Sequence, residues 1–111
     1  MEFNDYQEQV RNFVDYPVEI GPFSVIYGVM SDTGTLAYKL RGILEEKHGE
    51  FNDVDKVKIQ ITLGDILRNI SNMASDLNIS LEEVAAINLR KLALQKEKQL
   101  EAKETKKEDN T

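Results

Sequence analysis

Two long stretches of this chain place apolar residues at i, i+3, i+4 and i+7, and that spacing commits both to amphipathic helices. The first stripe is Ile26, Val29, Met30, Thr33, Leu36, Ala37, Leu40, Ile43 and Leu44. The second is Val54, Val57, Ile61, Ile66, Leu67, Ile70, Met73, Ala74 and Leu77. Val25-Ile26-Tyr27 and Lys58 to Ile61 have local strand character, which the surrounding helical period overrides.

Boundary signals divide the chain into four helices. The first runs from about Phe3 to Asp15, with Asn4 or Asp5 as cap and Phe3, Tyr6, Val10, Phe13 and Val14 on its apolar face. Pro17, Gly21 and Pro22 interrupt it. The second starts near Pro22 and runs to about Lys47, where Lys47-His48-Gly49 supplies basic side chains and a glycine stop. The third begins at Asn52 or Asp53 and ends near Leu77. Ser80-Leu81-Glu82-Glu83 is a capping box that opens the fourth, which carries Leu81, Val84, Ala85 and Leu92. Past Gln95 the apolar face gives way to charge, so residues 96–111 are predicted to be a helical extension fraying into a disordered tail. The predicted fold class is all-α, a small up-and-down four-helix bundle over residues 1–95. Apolar residues outside the main stripes, among them Ile59, Leu63, Ile87 and Leu94, predict a homodimer or homotetramer.

Composition removes several function classes. A chain of 111 residues is one domain. Zero cysteines exclude disulfides, a thiol nucleophile and a cysteine-ligated metal. A single histidine excludes a two-histidine metal site within one chain. The 20 acids outnumber the 14 Lys and Arg, for a net charge of -6. Residues 96–111 are neutral, so the deficit lies in the helical body, and an acidic body argues against a nucleic-acid partner. No apolar run approaches membrane-spanning length and MEFNDYQEQV lacks signal-peptide character, so a cytoplasmic protein with no membrane partner is expected.

No P-loop, Rossmann fingerprint, nucleophile elbow or zinc motif is present. The informative feature is polar residues beside apolar stripes. Asp32 and Thr35 share one helix face, as do Thr62 and Asp65, with Arg68 and Asn69 on the next turn and Asn88 on the fourth helix. Polar groups so placed need a partner or a ligand. Local pairing satisfies them too, since Arg68 stands at i+3 from Asp65. Gly28, Gly34, Gly42 and Gly64 lie inside helical patterns at a cost of about 1 kcal/mol each, explained by close helix approach or by room for a ligand. Tyr27 and Tyr38 read as core packing, with stacking on a base as the alternative. His48 reads as a helix C-terminal charge.

A set of motifs occurs in order along residues 3 to 95: Asp5-Tyr6-Gln7, Tyr16-Pro17, GVMSDTGTLA from Gly28 to Ala37, Lys47-His48-Gly49, TLGDILRNI from Thr62 to Ile70, and LNISLEEVAAINLRKL from Leu77 to Leu92. In these the chain resembles the MazG-like members of the all-α NTP pyrophosphohydrolases, most specifically through the last motif. The resemblance implies a nucleotide ligand and a Mg²⁺ site of four carboxylates, ExxE on one helix and ExxD on the next. Those positions fall on Asp32, Thr35, Thr62 and Asp65. Asp32 and Asp65 are left as weak metal ligands, and Thr35 and Thr62 are degenerate metal positions. Aspartate at 32 is also shorter than the family's glutamate by about 1.5 Å. Arg68 and Asn69 replace an aromatic pair; Arg68 brings the site near neutral, so these two are expected to contact phosphate directly, and the resemblance implies that Asn88 and Lys91 line the nucleotide pocket.

The family's reaction needs a metal-activated water, and a threonine hydroxyl cannot act as its base. The expected protein therefore binds a nucleotide with reduced or lost hydrolysis, sequestering it, a signalling nucleotide included. The alternative is an active Mg²⁺-dependent pyrophosphohydrolase, turning NTP into NMP and pyrophosphate; a third reading is a helical interaction module without a ligand. For either ligand-binding reading, helices two and three are predicted to pack antiparallel with Asp32 against Asp65. Carboxylates at Glu45, Glu46 or Asp76 lie too far along the helices to complete the metal set within one chain.

Overall fold

A computed structural model describes residues 1–109. Among them are four α-helices and no strand: α1 (Phe3–Val10), α2 (Gly21–Lys47), α3 (Asp53–Asp76) and α4 (Leu81–Asp109), with one 3₁₀ turn, Arg11–Phe13, after α1. The two segments with local strand character lie inside α2 and α3.

The boundaries of α2, α3 and α4 have local causes. At the start of α3 the Asn52 side chain accepts from the Asp55 N–H at 2.8 Å, and the Asp55 carboxylate accepts from the Asn52 N–H at 3.2 Å, a closed capping box. At its end Asn78 adopts the left-handed conformation. The Ile79 N–H then reaches the Ala74 carbonyl at 2.7 Å and the Asn78 N–H reaches that of Ser75 at 3.0 Å, which satisfies two orphan carbonyls. His48 is the left-handed residue that ends α2, followed by Gly49 with φ 79°. Ser80 caps α4 by accepting from the Glu83 N–H at 3.1 Å, and Gln7 of α1 accepts from the Leu81 N–H at 2.8 Å.

α1 departs from its predicted extent, ending at Val10 rather than near Asp15. Glu2 occupies the cap position and its N–H donates to Asp5 at 3.3 Å, so Asp5 lies in the first turn. Asn4 is not the cap either; it reaches α4 and donates to Glu82 at 3.0 Å. The early end has a tertiary cause. Arg11 and Tyr16 both bind Asp76 at the end of α3, and a continuing helix would carry residues five apart to different faces.

α2 and α3 form an antiparallel hairpin, shown by the contacts of Gly28 with Asn69, Lys39 with Thr62 and Lys47 with Asp55. At Gly28 a Cβ would come within 3.0 Å of the Asn69 side chain, so close approach explains that glycine. At Gly34, Gly42 and Gly64 a Cβ would meet nothing within 4 Å, and packing inside the chain does not explain them.

Among the described residues the buried apolar side chains are few: Val25, Ile43, Ala74 and Leu81. Asp55, Thr62, Ser71 and Asn72 are buried with them. Tyr27 and Tyr38, read as core residues, are instead exposed, because they lie on the side of α2 away from α3. The radius of gyration is 19.3 Å, against about 13 Å for a compact domain of this length. The chain is thus extended, and the least covered of its helices is α4. It packs on α1 and α3, yet from Ala86 to Lys107 every residue is exposed. The charged extension stays helical to Asp109; the end of the predicted tail, residues 110 and 111, lies outside the described residues. No helix among the described residues is long and apolar enough to cross a membrane.

One side of the hairpin is apolar. Ile26, Met30, Leu40 and Leu44 of α2 and Leu63, Ile70 and Leu77 of α3 are all exposed. Each row is offset by roughly a quarter turn from its helix's seam, in the same rotational sense, and antiparallel right-handed helices bring two such rows to one side.

Candidate functional site

Of the polar positions singled out in the sequence, Asp32, Thr62 and Asn69 lie along the hairpin seam. The half-buried Asp32 accepts from the Asn69 side chain at 2.7 Å. Asn69 follows Asp65 by one turn, so the partner of Asp32 is Asn69 rather than Asp65. Asp65 instead lies 3.9 Å from Arg68, with both side chains close to half exposed. An ion pair so exposed contributes little to stability. Tyr6 of α1 adjoins both: burial raises its pKa, the Arg68 charge opposes the rise and the Asp65 charge adds to it. Asp32, Asp65, Arg68 and Asn69 are thus gathered within about one turn of the hairpin.

The two threonines are engaged within the protein. Thr35 is exposed and its hydroxyl donates to the Ser31 carbonyl at 3.0 Å. Thr62 is buried on the seam; its hydroxyl donates to the Lys58 carbonyl at 3.2 Å and accepts from the Lys39 ammonium at 2.9 Å. Lys39 is a site residue the sequence reading passed over. Its signal was available, since it follows Asp32 by seven residues, two turns along the same face.

Asn88 and Lys91 are not brought to this site within one chain. Both are exposed on α4, and Lys91 lines a shallow groove formed by α4 residues alone, Ile87, Arg90, Leu94, Gln95 and Lys98.

Magnesium does not fit this arrangement. The ion demands near-octahedral oxygen ligation, usually with one or two free carboxylates. Asp32 is bound to Asn69, Asp65 faces Arg68, Thr62 holds an ammonium and Thr35 is turned to its own backbone. Two of the more distant acids, Asp76 and Glu45, are engaged as well. The Asp76 carboxylate accepts from Arg11 and from the Tyr16 hydroxyl, each at 2.6 Å, and Glu45 pairs with Arg41 at 3.0 Å. Among the described residues no group of three or more His, Asp or Glu side chains is placed to hold a metal ion.

At the tip of the hairpin lies a cleft of about 180 Å³ whose walls include Lys39, Gly42, Glu46, Lys47, Asp55 and Lys58. Lys47 donates to both Asp55 oxygens, at 2.8 and 2.9 Å. That contact, followed by the Asn52 backbone N–H, holds the Asp55 carboxyl below the usual carboxylate range. A lowered folded-state pKa contributes stability that is present above the unfolded value, about 3.9, and is lost as pH falls through the folded value. Asp55→Asn is therefore expected to flatten the acid limb of the melting-temperature profile below about pH 4. Amide exchange over residues 53–58 checks it, because in the unmutated chain these amides are expected to lose protection first on acidification.

The chain is 30% identical over 74 residues to the gene 37 protein of Mycobacterium phage L5. The aligned region takes in 67% of this chain and spans 65% of the length of that relative. No protein-family model matches the chain, and no solved structure matches it.

Proposed function

We propose that this protein binds and sequesters a nucleotide along the α2–α3 hairpin, on a MazG-like fold that has lost metal-dependent hydrolysis, as a cytoplasmic protein. The observation that carries the reading is the internal occupation of the former metal positions: Asn69 donates to Asp32, and Lys39 to Thr62. Groups that would otherwise attract a cation are met by donors of the protein itself. The site then has hydrogen-bonding and basic groups for a phosphorylated ligand, and no base or metal-bound water for hydrolysis. Arg68 and Asn69 contact the ligand. Asn88 and Lys91 join them from α4 of a second copy, because α4 departs from its own hairpin. The same copy covers the exposed apolar side of α2 and α3 in a homodimer or in a homotetramer of two such pairs.

The test is thermal melting against nucleoside mono-, di- and triphosphates and cyclic dinucleotides, each with Mg²⁺ and with EDTA. At least one nucleotide is expected to stabilise the protein in EDTA, by about 2.7 kcal/mol at a hundredfold excess over Kd. Pyrophosphate release from NTPs and dNTPs is expected to stay at background. Turnover near 1 s⁻¹, within the ordinary enzyme range, that EDTA abolishes would replace this reading with the working pyrophosphohydrolase.

A further inference from the structure

We infer that Lys39 is the resident cation of this site, standing where the family places a metal and binding a polyphosphate in the cleft at the hairpin tip together with Lys58. The inference rests on the reading of the hairpin as a nucleotide site and names the groups that hold the distal phosphates. Lys39 is half-buried, and its ammonium is bonded to a neutral hydroxyl, that of Thr62, which is 4% exposed. Among the described residues it makes no ion pair. A charge drawn partly out of water without a counter-charge is costly, and an anion in the adjoining cleft offsets that cost.

The other groups of the cleft sharpen the contrast. Lys47 is already neutralised by Asp55 through both carboxylate oxygens. Lys58 also makes no ion pair among the described residues. Setting aside the Lys47–Asp55 pair, two lysines face the single acid Glu46, so the cleft is net positive on a protein whose net charge is -6. Gly42 keeps the cleft open: a Cβ there would meet nothing, and packing within the chain does not repay the roughly 1 kcal/mol that glycine costs inside a helix. A volume of about 180 Å³ suits a short phosphate chain rather than a whole nucleotide, whose pockets run from about 300 Å³ upward. Asn69 lies seven residues, about 10 Å, along α3 from Thr62. A nucleotide held at Asn69 thus extends its distal phosphates to Lys39, whose ammonium supplies neutralising charge and hydrogen bonds but no activated water.

Calorimetric titration of the full chain with inorganic triphosphate in EDTA tests this. Binding is expected without a divalent cation, and added Mg²⁺ is not expected to tighten it. Lys39→Met is expected to weaken it about tenfold to a hundredfold, the range of one charge-assisted hydrogen bond, and Lys39→Arg to restore most of it. Melting without ligand shows that both variants fold. Lys58→Met, at the cleft wall, is expected to weaken binding without loss of fold, and so serves if Lys39→Met does not fold. No triphosphate binding by the unmutated chain, binding that needs Mg²⁺, or binding indifferent to Lys39→Met would overturn the inference. If nucleotides still stabilise the protein in that case, the nucleotide-binding reading survives. If triphosphate binds through Lys39 while no nucleotide stabilises the protein, the anion site stands and that reading falls.

Discussion

A chain carrying Leu40→Glu together with Ile70→Glu is expected to be monomeric and to lose its cooperative melt at micromolar concentration, where the unmutated protein is expected to scatter light as a multiple of 12.7 kDa. The reason is the balance between burial and entropy. Fully burying one large aliphatic side chain contributes about 1.5–3 kcal/mol, and fixing one backbone residue costs about 1–2 kcal/mol. Among the described residues only Val25, Ile43, Ala74 and Leu81 are buried apolar side chains. Leu40 and Ile70 are 39% and 41% exposed, on the same side of the hairpin as Met30, Leu44, Leu63 and Leu77. Exposed apolar groups in this number mark an interaction surface, and a second hairpin with the same rows is a complementary cover for it. Two carboxylates placed there would be desolvated without partners, a penalty of several kcal/mol each. The melting temperature of the unmutated protein should rise with concentration, as mass action requires. A species of 12.7 kDa with a sharp melt at high micromolar concentration would sink the proposal.

The second large effect is expected at Asp76. Its side chain is 3% exposed and accepts from Arg11 and from Tyr16, tying the segment after α1 to the end of α3. Asp76→Ala removes both contacts and leaves the Arg11 guanidinium without its carboxylate. The expected loss is about 3 kcal/mol, the low end of the range for breaking a buried pair, because Arg11 keeps a third of its side chain in water. Chemical denaturation reads the loss, and a change below about 0.5 kcal/mol, the scale of an ordinary surface substitution, would show that the network does not hold α1. The Tyr16 hydroxyl is held protonated, first by burial and then by its bond to Asp76. A raised folded-state pKa gives stability that is present below about pH 10 and is lost as pH rises through the folded value. In Asp76→Ala that alkaline loss should shrink.

The particular residues show which parts of the molecule local chemistry encodes. The ends of α2, α3 and α4 are legible because Asn52, Ser80, Gly49 and Asn78 act through backbone groups a few residues away. The end of α1 is not legible, since it is set by Asp76, more than sixty residues on. Asp32, Asp65, Arg68 and Asn69 are found together because spacing of three and four fixes which Cβ atoms share a face. The partner of Asp32 escapes the same rule, since an offset of one turn between facing helices comes from their packing. Spacing places Lys39 on the face of Asp32 but does not fix where its charge goes, because a four-carbon stem lets the ammonium lie well away from its Cβ. Periodicity tells which face of α4 carries Asn88 and Lys91 but not where that helix goes after the turn at Asn78. Tyr27 and Tyr38 mislead because aromatic content implies a core, and this chain keeps few residues in one.

The short connection between α2 and α3 also separates two clocks in folding. Residues 48–52 alone join the hairpin, so its contacts close small loops and form at the fast, unimolecular rate of low-contact-order structure. Covering the apolar side with another chain is bimolecular and slows with dilution. In the proposed homodimer, freshly synthesised chains are therefore expected to pass through a helical hairpin whose persistence is set by how much of the protein the cell has already made. In that interval the open rows of leucine and isoleucine are expected to be the surface through which misassembly begins.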